Sequence, residues 1–241
     1  MKQLLIYNDV IPVSKDRHAK YSYKPTGNYE FARQTNSVPL VAAEFAMAAM
    51  HYAIVFGQAA DGVVPAAVLG VRDSENVFVG ADGVWNASYI PAFVRRHPFV
   101  FGSDEKAEML TLMVDESCAG FNTSGKGEML FDAEGEQTTF VKNVMAFLGE
   151  YQGQTLATNN FTKLLTDLDL LDPAEAHLPL PSDPERRLRG FLIVSRDKLK
   201  ALPAEKLAEL HANGALELIY IHLFSMNNLS RLQEKMSAAA A

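Results

Sequence analysis

The chain has 241 residues, 48% of them hydrophobic, and a formal net charge of −7 at pH 7. This length and composition are enough for one large domain or two small ones with a substantial buried core. The negative charge argues against a sequence-independent nucleic-acid surface, which needs clustered Lys and Arg. The compact basic groups, Arg95-Arg96 and Arg186-Arg187 with Arg189, are too small to dominate the field of an acidic protein.

Cys118 is the only cysteine, so the chain can form neither an intramolecular disulfide nor a Cys-based zinc or CxxC redox site. No His or Asn context identifies a base for its thiol, which is therefore expected to be inert. The first residues lack the long apolar region and cleavage site of a signal peptide, and no stretch approaches the roughly 20 apolar residues of a membrane helix. We expect a cytoplasmic protein without a transmembrane segment.

The first half predicts an antiparallel sheet with helices laid on it. Residues 41–50 are rich in Ala and predict a short buried helix. Tyr89 to Arg96 predicts another short helix with Pro91 in its first turn, where a missing N–H costs nothing. The β-rich runs predict strands at 53–56, 63–71 and 109–114.

Beyond Gly135, apolar residues recur at spacings of three and four. This pattern predicts one helix over 140–151 and a second helix around 161–168. Four prolines lie in 172–189, so this segment cannot be a continuous helix and is expected to be extended. We expect it to connect a main region, 1–171, to a C-terminal unit, 190–241, that packs on the same core.

In the C-terminal unit, residues 190–194 predict a strand, and 203–212 predict a helix closed by Asn213-Gly214. Residues 215–224 are apolar on both faces of a strand and predict a buried one. This order predicts a strand–helix–strand unit with a right-handed connection, followed by a last helix that Ser225 caps. The predicted fold class is α+β, with a mixed, largely antiparallel sheet, packed helices and this C-terminal unit.

Residues 120–127, GFNTSGKG, nearly match the phosphate loop GxxxxGK[ST]. Gly127 stands where the motif needs the Ser or Thr that ligates magnesium. The residues that follow do not begin the helix whose N-terminus should hold the phosphate. We therefore expect no nucleotide site here, and the sequence indicates no cofactor.

The six histidines have no HxH or HExxH spacing, so no metal site is expected. Glu44 and His51 can share a helix face. They are more simply interpreted as a capping or core-edge pair than as ligands of one metal ion. His222 is expected to be a core histidine hydrogen-bonded to a neighbour. Asp115 and Glu116 end a strand, where carboxylates often line clefts, although adjacent strand residues point to opposite faces.

One group combines the only Trp of the chain with a Tyr and two guanidinium groups within thirteen residues. It consists of Trp85, Tyr89, Arg95, Arg96 and His97. Such side chains are the usual anchors of binding surfaces. Arginines near a helix C-terminus also have a structural explanation, because cations there complement the helix dipole. This group, with Asp115 and Glu116, is the predicted ligand- or partner-binding site.

Several blocks occur in a particular order along the chain. Residues 38–56 read VPLVAAEFAMAAMHYAIVF, and a hydrophobic strand, a DG turn with an aromatic and the block YIPAFVRRHPF follow within 63–101. Later blocks include LFDAEGE at 130–136 and LIYIHLFSMNNL at 218–229. This order resembles the SapC family of bacterial proteins over nearly the whole chain. Ala53 departs from the family pattern, which usually has Pro after the Tyr.

The sequence contains no complete catalytic constellation, which favours a non-catalytic role, and the family resemblance agrees with that role. The family name comes from a surface-layer (S-layer) locus, and relatives are often encoded near TonB-dependent receptors and near halogenase-like or oxygenase-like enzymes. A non-catalytic binding or accessory protein is therefore expected, acting on a small-molecule ligand or with a partner protein in an envelope-linked or tailoring pathway. The alternative is an enzyme whose acid/base residues, Asp115, Glu116 and His51, converge only in the fold. Whether these three side chains meet in one pocket distinguishes the two.

Overall fold

The structure is a computed structural model that describes residues 5–103 and 110–239. The strands are β1 (Val10–Pro12), β2 (Ser22–Tyr23), β3 (Ser37–Pro39), β4 (Ile54–Ala59), β5 (Gly62–Val68), β6 (Phe99–Ser103), β7 (Leu110–Asp115), β8 (Phe121–Asn122), β9 (Glu128–Met129), β10 (Leu171–His177) and β11 (Arg187–Val194). The α-helices are α1 (Lys15–His18), α2 (Phe45–Ala48), α3 (Ala92–Arg95), α4 (Thr139–Asp167), α5 (Arg196–Ala201), α6 (Ala204–Ala212), α7 (Ala215–Ser225) and α8 (Asn228–Ala239). None of the described helices is long and apolar enough to cross a membrane.

The largest sheet has five strands in the order β10-β11-β4-β5-β3, and each neighbouring pair is antiparallel. Two three-stranded antiparallel sheets, β1-β7-β6 and β8-β2-β9, complete the strand pairing of the described residues. The predicted α+β class is confirmed. The strands predicted at 53–56 and 63–71 form the β4–β5 hairpin, in which Val55 lies opposite Ala66. Met109, the predicted first residue of β7, lies outside the described residues.

Helix α4 joins two hydrophobic cores. Its 29 residues span about 44 Å at 1.5 Å per residue. The first half buries Val141 among the residues under the small sheets, and the second half buries Phe161 in the main core. We predicted two helices here, but the helix is continuous through Gly149 and Gly153. Each glycine costs about 1 kcal/mol relative to Ala in a helix interior, and burial of both apolar stripes offsets that cost.

The predicted strand at residues 215–224 is wrong, because this segment is the helix α7. Gly214 has a φ of 78° and ends the preceding helix, and the Asn213 side chain accepts a hydrogen bond from the Ala215 N–H at 3.0 Å. The buried Ile219 and Leu223 lie on one helix face, whereas Tyr220 and Phe224 are exposed. A run that is apolar in every direction fits a buried strand and a buried helix equally well. The C-terminal strand–helix–strand unit therefore does not form.

The segment 172–189 is not helical, and half of it lies in the large sheet, as residues 172–177 of β10 and 187–189 of β11. The β10–β11 hairpin pairs Leu171 with Val194 and His177 with Arg187, so the segment is bonded to the core along much of its length. Proline is compatible with this position because Pro173 lies on the edge strand β10, where an outward-facing N–H is dispensable. Side chains from 190–241, including Ile219, belong to the same core as Phe45 and Phe56.

His222 ties α7 to the sheet. The Val194 N–H donates to His222 Nε2 at 3.1 Å, and Nδ1 lies 2.8 Å from the Ile54 carbonyl oxygen. These contacts require a neutral ring with its proton on Nδ1. Burial lowers the pKa of His222 to about 4. The expected core histidine is thus confirmed. Ser225 does not cap α8 as predicted, because it ends α7 and its Oγ accepts from the Ile54 N–H at 2.9 Å.

Acidification from pH 7 to pH 5 should destabilise the protein through His222. The unfolded ring binds a proton near pH 6.5, whereas the folded ring resists protonation down to a pKa of about 4. The unfolded state therefore binds more protons in this interval, and the free energy of unfolding should fall by roughly 2 kcal/mol for this one group. Urea denaturation at pH 7, 6 and 5 measures the change. His222→Gln should flatten the pH dependence by that amount, and the exposed His211→Gln should leave it unaltered. Equal pH dependence in His222→Gln and the wild type would contradict the assignment.

Candidate functional site

A cleft of about 590 Å³ lies between α4 and the β4–β5 hairpin. The sheet side contributes the apolar side chains of Val63 and Val64, and the segment just before the 3-10 turn Ala42–Glu44 contributes Leu40. The α4 side is mostly polar, and its lining residues include Thr155, Thr158, Asn159, Asn160, Thr162, Lys163 and Thr166. A wall that is apolar apart from Asp61 therefore faces one hydrogen-bonding wall.

The four threonines of the cleft lie on one face of α4, since they follow each other at spacings of three and four. Each hydroxyl donates to a backbone carbonyl of the preceding turn: Thr155 to Tyr151 at 2.8 Å, Thr158 to Gln154 at 2.7 Å, Thr162 to Asn159 at 3.2 Å and Thr166 to Thr162 at 3.0 Å. The hydroxyl hydrogens are thereby occupied, and the oxygens retain acceptor capacity. Thr158 Oγ1 uses part of it to accept from the Ala42 N–H at 2.8 Å. This wall is suited to ligands that carry O–H or N–H donors.

Arg96 lies at the inner end of the cleft and is only 6% exposed. Its guanidinium carbon is 4.2 Å from the ring centroid of Phe93, 5.3 Å from that of Tyr151 and 5.6 Å from that of Tyr7. Aromatic faces favour a cation at these distances. Burial raises the pKa of Tyr151 to about 12 despite the nearby Arg96, so the phenol stays neutral. Arg96 and Tyr151 also line a smaller cavity of about 130 Å³ next to Leu148.

The buried carboxylate of Glu44, which does not itself line the cleft, holds the lining residue Val41 in place. Glu44 Oε1 accepts from the Tyr89 hydroxyl at 2.7 Å and from the Ala92 N–H at 2.6 Å, while Oε2 accepts from the Val41 N–H at 3.0 Å. Val41 belongs to one wall, and Ala92 begins the helix that leads to Arg96. Glu44 thus caps the 3-10 turn Ala42–Glu44, whereas His51, which was expected to pair with it, contacts Ser88. Burial, followed by the proximity of Glu44, raises the pKa of Tyr89 to about 12.

The predicted aromatic and arginine group does not form one surface. Trp85 is buried and donates from Nε1 to the Tyr52 hydroxyl at 2.8 Å. Arg95 is exposed and donates from Nε to the Ile90 carbonyl oxygen at 2.9 Å, whereas Arg96 points inward. Successive helix residues project about 100° apart, which accounts for the divergence of the two arginines. Of the group, Arg96 lines the cleft.

His97 and Asp115 lie together, and neither lines the cleft. The His97 ring stacks on Phe31 with centroids 3.7 Å apart, and its Nε2 is 3.7 Å from Asp115 Oδ2. Burial lowers the pKa of His97 to about 4 in spite of Asp115. Burial alone raises the pKa of Asp115, but hydrogen bonds from the Ser117 side chain and from the backbone N–H groups of Asn8, Asp9 and Ser117 outweigh it and lower that pKa. Asp115 thus anchors the N-terminal segment to β7.

The side chains of the three acid/base candidates share no hydrogen-bond partner within the described residues. Glu116 pairs with Arg17 and lies 3.1 Å from His18 Nε2. His51 Nε2 is 2.7 Å from the Ser88 hydroxyl, and burial, followed by the cations Arg231 and Lys235, lowers the pKa of His51. Asp115, Glu116 and His51 are all outside the lining of the cleft.

The thiol of Cys118 is half-buried, and burial raises its pKa, which disfavours the reactive thiolate.

Within 5–103 and 110–239, no group of three or more His, Cys, Asp and Glu side chains could hold a metal ion.

The loop that resembles a phosphate site is filled by its own side chain. Asn122 Oδ1 accepts hydrogen bonds from the backbone N–H groups of Ser124 and Lys126, each at 3.1 Å, and from the Ser124 hydroxyl at 3.0 Å. It therefore occupies the position where a phosphate oxygen would bind. The residues after Gly127 form the strand β9 rather than a helix.

Sequence reasoning missed the threonine face, Tyr151 and Phe93. The spacing T-x2-T-x3-T-x3-T would place the hydroxyls on one side of a helix, but Thr155 and Thr158 lie between the two predicted helices. Nothing in the sequence indicated which strand would face them.

Glu44→Ala should destabilise the protein by about 3 kcal/mol or more, because two buried backbone N–H groups and the partly buried Tyr89 hydroxyl lose a charged acceptor. Chemical denaturation monitored by far-UV circular dichroism measures the loss. Glu30→Gln is the matched control, since Glu30 pairs with Arg33 at the surface and should change stability by less than about 0.5 kcal/mol. Equally small losses of stability in both variants would show that Glu44 does not hold the segments around Val41 and Ala92 in place.

ATP and GTP should bind no better than background, because the Asn122 side chain occupies the loop and the magnesium-ligating hydroxyl is missing. Calorimetric titration with magnesium present tests this. A saturable signal that disappears in Lys126→Ala and persists in Lys20→Ala would show that the loop holds phosphate after all.

A family model described as SapC matches residues 13–232 of the chain. No curated protein and no solved structure gives a significant match. The matched region includes α4, the β4–β5 hairpin and α3, which together build the cleft. The chain therefore belongs to the SapC family.

Proposed function

We propose that this SapC-family protein is a non-catalytic binding protein that holds a small organic molecule in the cleft between α4 and the β4–β5 hairpin. The observation that carries the proposal is the cleft itself, with its volume of about 590 Å³. This size is within the range of roughly 300–1,000 Å³ that is typical of small-molecule sites. In this role the protein acts in the cytoplasm as an accessory to a partner enzyme or to an envelope-linked pathway, as the family resemblance implies.

The chemistry of the walls supports an amphipathic ligand. Val63, Val64 and Leu40 favour an apolar surface on the ligand, and the threonine oxygens of α4 favour hydroxyl or amine donors on its other side. Arg96, with Phe93 and Tyr151 around it, adds a positive potential and aromatic faces at the inner end. An aromatic or carboxylated end group would suit that environment.

The distribution of titratable groups supports binding rather than catalysis. A general acid/base site requires candidate groups within hydrogen-bond reach of one substrate position. The side chains of Asp115, Glu116 and His51 instead bond to three separate sets of groups, and none of the three residues lines the cleft. The enzymatic alternative thus has no geometric support among the described residues.

Filling the cleft should abolish binding without unfolding the protein. Thr155→Phe places a ring into the cleft from α4, and Ala157→Phe adds the same ring on the exposed side of that helix. Ligand-observed NMR with a set of hydroxylated and carboxylated aromatic fragments provides the probe. Hits should bind the wild type and Ala157→Phe equally and lose at least tenfold in affinity for Thr155→Phe. Equal binding to all three proteins, or no hit for the wild type, would contradict the proposal.

A further inference from the structure

The cleft runs along an edge of β5 that β3 leaves uncovered. Strand β3 pairs with residues 66–68 of β5 and ends at Pro39. Residues 62–64, at the other end of β5, all line the cleft. Successive residues of a strand point to opposite faces of the sheet. A cleft that touches three of them in a row therefore lies along the edge of the strand rather than on one face.

The strand register shows which backbone groups face this edge. The Val68 N–H donates to the Ala53 carbonyl oxygen at 2.9 Å, so every second residue of β5, counted from Val68, bonds to β4. The residues between them point to the other side, and accordingly the Leu40 N–H donates to the Pro65 carbonyl oxygen at 2.9 Å. Val63 lies two residues from Pro65. Its N–H and C=O therefore point away from β4, on the edge that lines the cleft.

The threonine face of α4 supplies acceptors at a matching repeat. The spacing of four residues between Thr158, Thr162 and Thr166 corresponds to about 6 Å along the helix. On one edge of an extended chain, N–H groups recur every second residue, which is about 6.7 Å. The threonine hydroxyl hydrogens are already donated within α4, so the oxygens act as acceptors. A row of backbone N–H groups suits this wall.

The protein's own chain already bridges the two sides of the cleft in this way. Where it leaves β3, the Leu40 N–H bonds to the edge of β5, and the Ala42 N–H donates to Thr158 Oγ1 at 2.8 Å. Val41 between them has an extended backbone, with φ −93° and ψ 150°. At Ala42 the chain enters the 3-10 turn. A second extended chain can therefore continue the same contacts along the rest of the cleft.

Given the proposed ligand-binding function, on which this assignment rests, we propose that the ligand of the cleft is a short linear peptide. It binds as an added strand between the edge of β5 at Val63 and the threonine face of α4. The distance along α4 from Thr158 to Thr166 is about 12 Å, which is the length of about four extended residues. In this mode of recognition the backbone hydrogen bonds provide affinity, and alternate side chains meet the apolar side of the cleft.

Tetrapeptides with capped ends and alternating apolar and polar side chains are the probes, and amide NMR titrations of the full chain measure their binding. The wild type should bind them. N-methylation of alternate amides, which removes the N–H donors from one edge of the peptide, should weaken binding at least tenfold. Equal binding of the methylated peptides would overturn the proposal. Failure of every peptide to bind a protein that binds the aromatic fragments would overturn it and leave the proposed function intact, whereas absence of both kinds of binding would overturn both.

The threonine face is tested by the double variant Thr162→Val with Thr166→Val, which removes two acceptor oxygens at nearly constant shape. Peptide affinity should fall about tenfold. Thr139→Val is the matched control, because Thr139 is an exposed threonine of α4 that does not line the cleft, and it should bind the peptides as the wild type does. Undiminished affinity in the double variant would show that the threonines do not hold the peptide backbone.

Hydrogen exchange in the wild-type complex tests strand addition itself. Saturation with peptide should slow exchange of the Val63 amide at least tenfold, because this N–H gains an acceptor on the added strand. The Val64 amide already bonds to β4 and should keep its exchange rate. Unchanged exchange of Val63 in the saturated complex would exclude an added strand, even though the peptide binds.

Discussion

The buried carboxylate of Glu44 accepts hydrogen bonds from the Val41 N–H, the Ala92 N–H and the Tyr89 hydroxyl, and the cleft depends on this interaction. A carboxylate leaves water at a large free-energy cost unless donors satisfy it, so these three groups must remain in place. They come from segments that are far apart in sequence. Their convergence fixes one wall of the cleft relative to the helix that leads to Arg96.

A second constraint comes from the length of α4. Because one continuous helix packs on both hydrophobic cores, the small sheets cannot move independently of the large one without bending it. The same helix presents its threonine face to the β4–β5 hairpin, so the cleft is formed between rigid elements. Rigid elements hold a binding site in its productive geometry at little entropic cost on binding.

The sequence predicted those parts of the fold that local signals determine. Asn213-Gly214 marked a helix end correctly, because left-handed glycine has a strong backbone preference. Pro91 was expected in the first turn of a helix from Tyr89, but it precedes α3, which begins at Ala92. Residues 215–224 were predicted to be a strand but form the helix α7. A uniformly hydrophobic run lacks the periodicity that distinguishes a strand from a helix. His222 was correctly expected in the core, yet its partners on β4 and β11 come from distant segments that no local pattern reveals.

The candidate site was harder to predict than the fold. The group around Trp85 and Arg96 is compact in sequence, but helix geometry sends Arg95 outward and Arg96 inward, and the indole of Trp85 points into the core. Residues that are close in sequence need not share a surface, because successive side chains of a helix project about 100° apart around its axis. The cleft arises instead from the pairing of α4 with β5, a long-range contact set by packing.

Hydrogen exchange of the Val41 and Ala92 amides tests most directly whether Glu44 organises the cleft. Both amides should exchange slowly in the wild type, with protection close to that of the β4 core amides. In Glu44→Gln the Val41 amide should exchange much faster while the Phe56 amide keeps its protection, because the amide side chain cannot accept at both positions. Fast exchange of Val41 and Ala92 in the wild type would contradict the account.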